Sequence, residues 1–149
     1  MRAEIHGPFA ETAAGAIAES VLRACVQCGL CNAACPTYQI AGDELDGPRG
    51  RIYLIKQAVE GGPVGRTTQI HLDRCLSCRA CETTCPSGVE YHRLYDVGRE
   101  VVAARAPRPW RERMMRAAIM AVCARPSLLL TLLKITGKVA WRTDMGLLR

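Results

Sequence analysis

Aromatic side chains are scarce in this chain: one Phe, two Trp and four Tyr among 149 residues. A surface that stacks nucleobases needs several such rings beside its cations, so nucleic-acid binding is not expected despite a formal charge of +6. Long apolar runs are missing too. The nearest approach, residues 117–135, is broken at its centre by Arg125 and Pro126, which argues against a membrane-spanning helix. The opening MRAEIHGPFAETAAG carries acidic side chains and no apolar core, so it is not expected to act as a secretory signal. There is no phosphate loop, no G-x-G-x-x-G after a strand and no Ser/His/Asp set, and no catalytic residue is expected on this chain. Strand-like alternation is confined to Thr67–Leu72, which leaves a mostly α fold.

Cysteine, by contrast, is abundant. Eight of nine cysteines fall in two copies of C-x2-C-x2-C-x3-C-P: Cys25, Cys28, Cys31 and Cys35 before Pro36, then Cys75, Cys78, Cys81 and Cys85 before Pro86. Three cysteines three residues apart let one tight loop aim three thiolates at a [4Fe–4S] cube, and this is the run found in bacterial-type ferredoxins. In two-cluster ferredoxins the fourth cysteine of each run ligates the other cluster. Applied here, one cluster takes Cys25, Cys28, Cys31 and Cys85, and the other takes Cys75, Cys78, Cys81 and Cys35. Proline after the distal cysteine turns the chain away from the cluster. Such cross-ligation couples cluster assembly to folding. A structural zinc site favours separated C-x2-C pairs, and a disulfide framework expects secretion. Neither suits two tight runs of four, and a reducing cytoplasm suits eight metal-ligating thiols.

Charge divides the chain. Residues 1–104 carry 10 Lys/Arg and 12 Asp/Glu, whereas residues 105–149 carry 10 and 2. The expected organisation is an α-helical ferredoxin-type two-cluster domain over 1–106 and a basic amphipathic helical extension over 107–149. Caps and apolar spacing predict helices at Thr12–Ala24, Pro48–Glu60, Val89–Ala104, Trp110–Ala124 and Pro126–Trp141. Arg105, Arg108, Arg111, Arg113 and Arg116, followed by Leu128–Leu130, Leu132 and Leu133, suit packing on protein or an anionic membrane surface. Cys123, within AAIMAVCAR, reads as a small buried thiol. His71 reads as a packing side chain or as a hydrogen-bond partner near a cluster. Arg49, Arg51, Arg74 and Arg79 flank the runs and read as solvated charges, as cluster-tuning cations or as a docking surface. The amide of Gly29 is expected to donate to cluster sulfur.

The string CVQCGLCNAACPTYQIAGDELDGPRGRIYLIKQAVEG, from Cys25, closely resembles the iron–sulfur subunit of bacterial glycolate oxidase. So does HLDRCLSCRACETTCPSGVEYHRLYDVGRE, from His71, and GDELDGPRGRIYLIK is the most specific part. Such proteins are similar to the iron–sulfur subunits of heterodisulfide reductase, anaerobic glycerol-3-phosphate dehydrogenase and lactate-utilisation complexes. The resemblance implies a relay without a substrate site. A partner subunit would oxidise glycolate to glyoxylate at FAD, and electrons would pass through this chain toward a quinone or another acceptor. The eight motif cysteines match the family's cluster ligands position by position. A cytoplasmic location, or a peripheral one on the inner face of the cytoplasmic membrane, is expected. The same relay in a lactate, glycerol-3-phosphate or heterodisulfide complex, and a non-catalytic metal-stabilised interaction module, are the alternatives. The resembled family is considerably longer and carries CCG-type cysteine repeats in its C-terminal half, a pattern absent here.

Overall fold

A computed structural model describes residues 1–6, 9–125, 127, 130, 131 and 134. In chain order the helices are α1 (Ala13–Ala24), α2 (Leu30–Ala33), α3 (Pro36–Ala41), α4 (Pro48–Val59), α5 (Arg66–Asp73), α6 (Ala80–Thr83), α7 (Tyr91–Arg105) and α8 (Trp110–Cys123), with a 3-10 turn at Glu44–Asp46 before α4. Among the described residues there is no strand. The chain divides into two compact units, Met1–Pro107 and Arg108–Arg149.

The core of the first unit lies where α7 packs along α1 and α4. Thr12 caps α1, its hydroxyl accepting the Gly15 amide at 3.0 Å, and Ala18, Val21 and Leu22 follow at helical spacing on the buried face. Pro48 opens α4, where its missing N–H costs nothing; Ile52, Ile55, Ala58 and Val59 are buried along it. The C-terminus of α4 is closed by a cation from another helix. Arg105 donates to the carbonyls of Ala58 at 2.7 Å and Gly62 at 2.7 Å, satisfying groups that the helix itself leaves orphaned. Helix α7 approaches α4 closely at Gly98. A Cβ there would lie 2.5 Å from Ile55 Cγ1, so the backbone of α7 rests on the Ile55 side chain.

Thr67–Leu72 is not a strand; it lies within α5. Thr68, Gln69, His71 and Leu72 are buried, a set that fits one helical face and not the period of two that a strand requires. Tertiary bonds fix it there. The Tyr95 hydroxyl donates to Leu72 O at 2.8 Å, and Gln69 Nε2 donates to Ala106 O at 2.8 Å.

In the second unit, Glu112 accepts from Arg108 at 2.7 Å and from Arg116 at 3.3 Å, one helical turn apart in each direction. No side chain of α8 is buried, and Cys123, expected inside, is exposed; among the described residues nothing packs over the apolar residues of α8 closely enough to bury it. The helix predicted at Pro126–Trp141, with Leu128, Leu129, Leu132 and Leu133, lies almost wholly outside the described residues. No helix among the described residues is long and apolar enough to cross a membrane.

Two outcomes test this packing. Gly98→Ala should lower the thermal midpoint, because an overpacking cost of about 1–3 kcal/mol exceeds the roughly 1 kcal/mol of helix propensity gained; in an Ile55→Ala background the same change should cost less. The second concerns Glu60, which accepts from Lys56 Nζ at 2.6 Å and from the Glu4 amide at 2.9 Å. Burial works against its charge, but Lys56 and the Glu4 amide outweigh burial and hold the carboxyl below its ordinary value. A depressed carboxyl stabilises fully above its unfolded pKa, about 4.3, and that contribution is lost as pH falls through the lower folded value. Protection of the Glu4 amide from hydrogen exchange, relative to an unstructured amide at the same pH, should hold from neutral pH to the ordinary carboxylate range and fall below it. In Glu60→Gln that acid-side dependence should disappear.

Candidate metal centre

The repeat seen in the cysteines extends to the backbone. Gln27 and Ser77, fifty positions apart, have φ of 59° and 53°. Gly29 and Arg79, offset in the same way, have φ of 83° and 60°. Each second cysteine, Cys28 and Cys78, therefore sits between two left-handed residues, and both are exposed. Gln27, Ser77 and Arg79 hold a conformation that costs a side-chain-bearing residue about 1–2 kcal/mol. Left-handed residues alternating with others are the geometry of backbone nests, which cradle anionic groups including Fe–S clusters. A single helical turn then carries each third cysteine: Cys31 in α2 and Cys81 in α6.

The loops part company after the fourth cysteine. Pro36 begins α3, whereas Pro86 enters a turn completed by Gly88 at φ 60°.

Two cavities lie between the loops. The first, of about 30 Å³, is lined by Cys25, Cys28, Cys31 and Cys85, with Arg49 also in its lining. The second, of about 210 Å³, is lined by Cys35, Cys75, Cys78 and Arg51. Pro48, Cys81 and Tyr91 line both and form the wall between them. The fourth cysteine of each run thus faces the cavity of the other run. All eight thiols are free of disulfides.

Crowding governs the electrostatics. Burial, and after it Cys25, pushes the Cys31 thiol up to about 11. Burial, and after it Cys31 across the interface, pushes Cys81 up to about 12. Protons alone hold such a set together without charge; a cationic metal held by thiolates removes the same repulsion, so the donor set suits iron or another thiophilic metal.

Cys35 differs. Burial raises it, but the Thr37 hydroxyl at 3.1 Å, the backbone amides of Tyr38 and Thr37 and the Arg51 guanidinium together outweigh burial and lower it. Arg51, read from the sequence as a flanking charge, is 1% exposed. Its Nε donates to His71 O at 2.8 Å, and its Nη1 donates to Thr37 Oγ1 at 3.1 Å and to Cys35 Sγ at 3.9 Å. Asp46 anchors this layer: its carboxylate meets His71 Nδ1 at 2.9 Å, Arg74 Nη1 at 2.6 Å and Arg51 Nη2 at 3.7 Å. His71 is thus buried in an ion-pair layer and not in contact with a cysteine. Arg49 and Arg79 are exposed and paired with Glu44 and Glu82. Neutral donors reach other sulfurs: Gln27 Nε2 lies 3.8 Å from Cys25 Sγ, and the Tyr91 hydroxyl 3.8 Å from Cys75 Sγ. Burial keeps Tyr91 protonated far above its ordinary range. Thr37, Asp46 and Tyr91 were not singled out by the motif; the unusual DELDGPRGR string was the available signal for Asp46.

This arrangement suits a cysteine-held metal centre, and residues 21–89 match the family described as 4Fe-4S dicluster domain. The chain is similar to the glycolate oxidase iron-sulfur subunit of Escherichia coli K12, at 53% identity over 135 residues, 91% of this chain. It is also similar to the probable glycolate oxidase iron-sulfur subunit of Bacillus subtilis 168, at 42% identity over 101 residues, 66% of this chain. The resemblance read from the cysteine runs and the GDELDGPRGRIYLIK string therefore holds. The chain spans 33% of the length of the first relative and 22% of the second. No solved structure matches it.

One contact ties the second loop to the helical core. Glu82 Oε1 accepts the His92 amide at 2.7 Å in the first turn of α7, where that donor has no helical partner. Glu82→Ala should cost about 1–2 kcal/mol in thermal unfolding, and Glu82→Gln, which keeps an acceptor, should cost less.

Proposed function

We propose that this chain binds two [4Fe–4S] clusters and relays electrons from a partner FAD subunit, which oxidises glycolate to glyoxylate, toward a quinone or another acceptor. The first cavity's cluster takes Cys25, Cys28, Cys31 and Cys85; the second takes Cys75, Cys78, Cys81 and Cys35. The observation that supports this most is the crosswise division of the fourth cysteines between the two cavities. When bound, each cluster supplies a one-electron redox centre. The chain's own residues hold it, shield it and set its surroundings: the nest loops cradle it, Tyr91 and Gln27 donate toward sulfur, and the Pro48–Cys81–Tyr91 wall separates the two sites. The two electrons released per glycolate would then leave one at a time. In this reading residues 1–106 form the cluster domain and 107–149 a basic helical extension that meets protein partners or the inner face of the cytoplasmic membrane. The glycolate assignment rests on the names of the two relatives.

Anaerobic reconstitution should give about eight irons and eight sulfides per chain; zinc, or iron that dithionite does not reduce, would instead indicate a metal-stabilised interaction module. Cys28→Ser and Cys78→Ser should each lose one cluster, about half the iron, and stop dye-linked turnover of the complex, while glycolate still reduces the partner flavin. Full turnover in both variants would overturn the relay. The flavoprotein that co-purifies identifies the substrate, and one acting on lactate, glycerol 3-phosphate or a heterodisulfide would move the relay to that complex.

A further inference from the structure

The two cysteine loops are alike in spacing, in backbone conformation and in the single turn that carries the third thiol. Two clusters held only by those loops would differ little in potential. One buried side chain breaks the equivalence. Arg51 lines the second cavity and not the first. Fifty positions on, where the repeat would place a counterpart, stands Val101.

The Arg51 guanidinium is fixed on two sides, by Nε on His71 O and by Nη1 on Thr37 Oγ1. Its Nη2 is buried and has no hydrogen-bond partner; Asp46 Oδ1, at 3.7 Å, is too far to be one. The donor that faces sulfur is Nη1, 3.9 Å from Cys35 Sγ, so the guanidinium charge stands within hydrogen-bond reach of a thiol that lines the second cavity.

The neighbouring charges do not cancel this effect. Two carboxylates belong to the layer: Asp46, shared with His71 and Arg74, and the exposed Asp43, whose carboxylate lies within 4.8 Å of the Asp46 and His71 ligand atoms. Arg74 is 55% exposed, so water screens it more than Arg51. On the second cavity's rim, Arg79 is paired with Glu82, and Asp96 is exposed. At the first cavity the nearest cation is Arg49, 45% exposed and set against Glu44 at 3.5 Å. The side chain that reaches a cysteine sulfur there is the neutral amide of Gln27. Of the cations lining the two cavities, only Arg51 is buried and within reach of a lining cysteine sulfur.

We infer that Arg51 holds the second cavity's cluster at a higher reduction potential than the first, so that electrons entering the domain collect on the second cluster before leaving it. This rests on both cavities holding clusters. A positive charge and a hydrogen bond favour the form carrying the extra electron, which is the more negative one. The step itself is an electron transfer: the first cluster loses one electron and the second gains it, with no bond made or broken. No proton moves at Arg51, because a guanidinium stays protonated. Reduced flavin supplies the electron, and a quinone-type acceptor removes it. Arg51 is a positioning residue in this role, acting through charge and one donor.

The test is a redox titration of the reconstituted full-length chain, followed by electron paramagnetic resonance, after iron and sulfide have been counted. Wild type should show two one-electron waves. Arg51→Gln should move only the higher wave downward, by at least tenfold in the reduction equilibrium, about 59 mV for a one-electron couple. Arg51→Lys should recover part of the shift, and Arg49→Gln should move neither wave. In a Cys28→Ser background, which keeps only the second cluster, Arg51→Gln should move the remaining wave; in a Cys78→Ser background it should not. Thr37→Val keeps the charge but removes both the hydroxyl that anchors Nη1 and its own contact with Cys35 Sγ at 3.1 Å, and should lower the same wave without moving the other, even where Arg51→Gln assembles poorly. Both waves moving together, or neither moving at full iron content, would overturn the inference. An iron count short of two clusters in wild type would instead sink the two-cluster reading beneath it.

Discussion

Mutual repulsion among crowded sulfurs is the constraint on which the rest of this structure depends. Two short loops converge so that the third cysteine of one faces the third cysteine of the other, in surroundings too dry to tolerate thiolate charge. Cys31 and Cys81 resist ionisation mostly because they are buried, and then because other cysteines stand beside them. Metal ions turn the same crowding from a liability into a set of bonds. The left-handed turns at Gln27, Gly29, Ser77 and Arg79 have the same logic, since strained backbone persists where its surroundings over-determine it.

Around this near-symmetric centre the scaffold is asymmetric. The 39 residues between Cys35 and Cys75 fold into α3, the 3-10 turn, α4 and α5. The start of α4 lies between the cavities, with Pro48 in the shared wall, Arg49 toward one side and Arg51 toward the other. Two arginines two positions apart on one helix thus meet opposite environments, one solvated and one sealed. Duplicated loops place the eight cysteines, and the unduplicated segment makes the two cavities distinct.

Much of this was legible in the chain itself. Thr12, Pro48 and the apolar residues behind them announce α1 and α4 because capping and periodicity are local properties. Trp110 and the residues after it mark α8 in the same way. The cysteine runs announce the cavities, and even the crosswise exchange of Cys35 and Cys85 follows from the spacing. What was not legible depends on distant partners. Arg51 reads as a surface cation because its neighbours in sequence do not reveal that His71 O and Thr37 Oγ1 wait for it. Thr67–Leu72 alternates briefly, yet Tyr95 and Ala106, far along the chain, settle it as helix. The single-turn helices α2 and α6 are too short for any periodic signal. Cys123 looks internal because its neighbours are apolar, and burial is decided by what packs against a helix, not by its composition.

The lacing of the two loops also has a consequence in time. Each cavity borrows a wall from the other run: the first needs Cys85, and the second needs Cys35 together with the loop from Cys75. Neither cavity exists while the chain is still being made and only the first run has emerged from the ribosome. In the two-cluster reading, loading waits for nearly the whole first unit. Until then the early thiols of Cys25 to Cys35 are open to oxidation and to stray metals, and on that reading the interval between the two runs during synthesis is when the chain most needs an iron–sulfur donor close at hand.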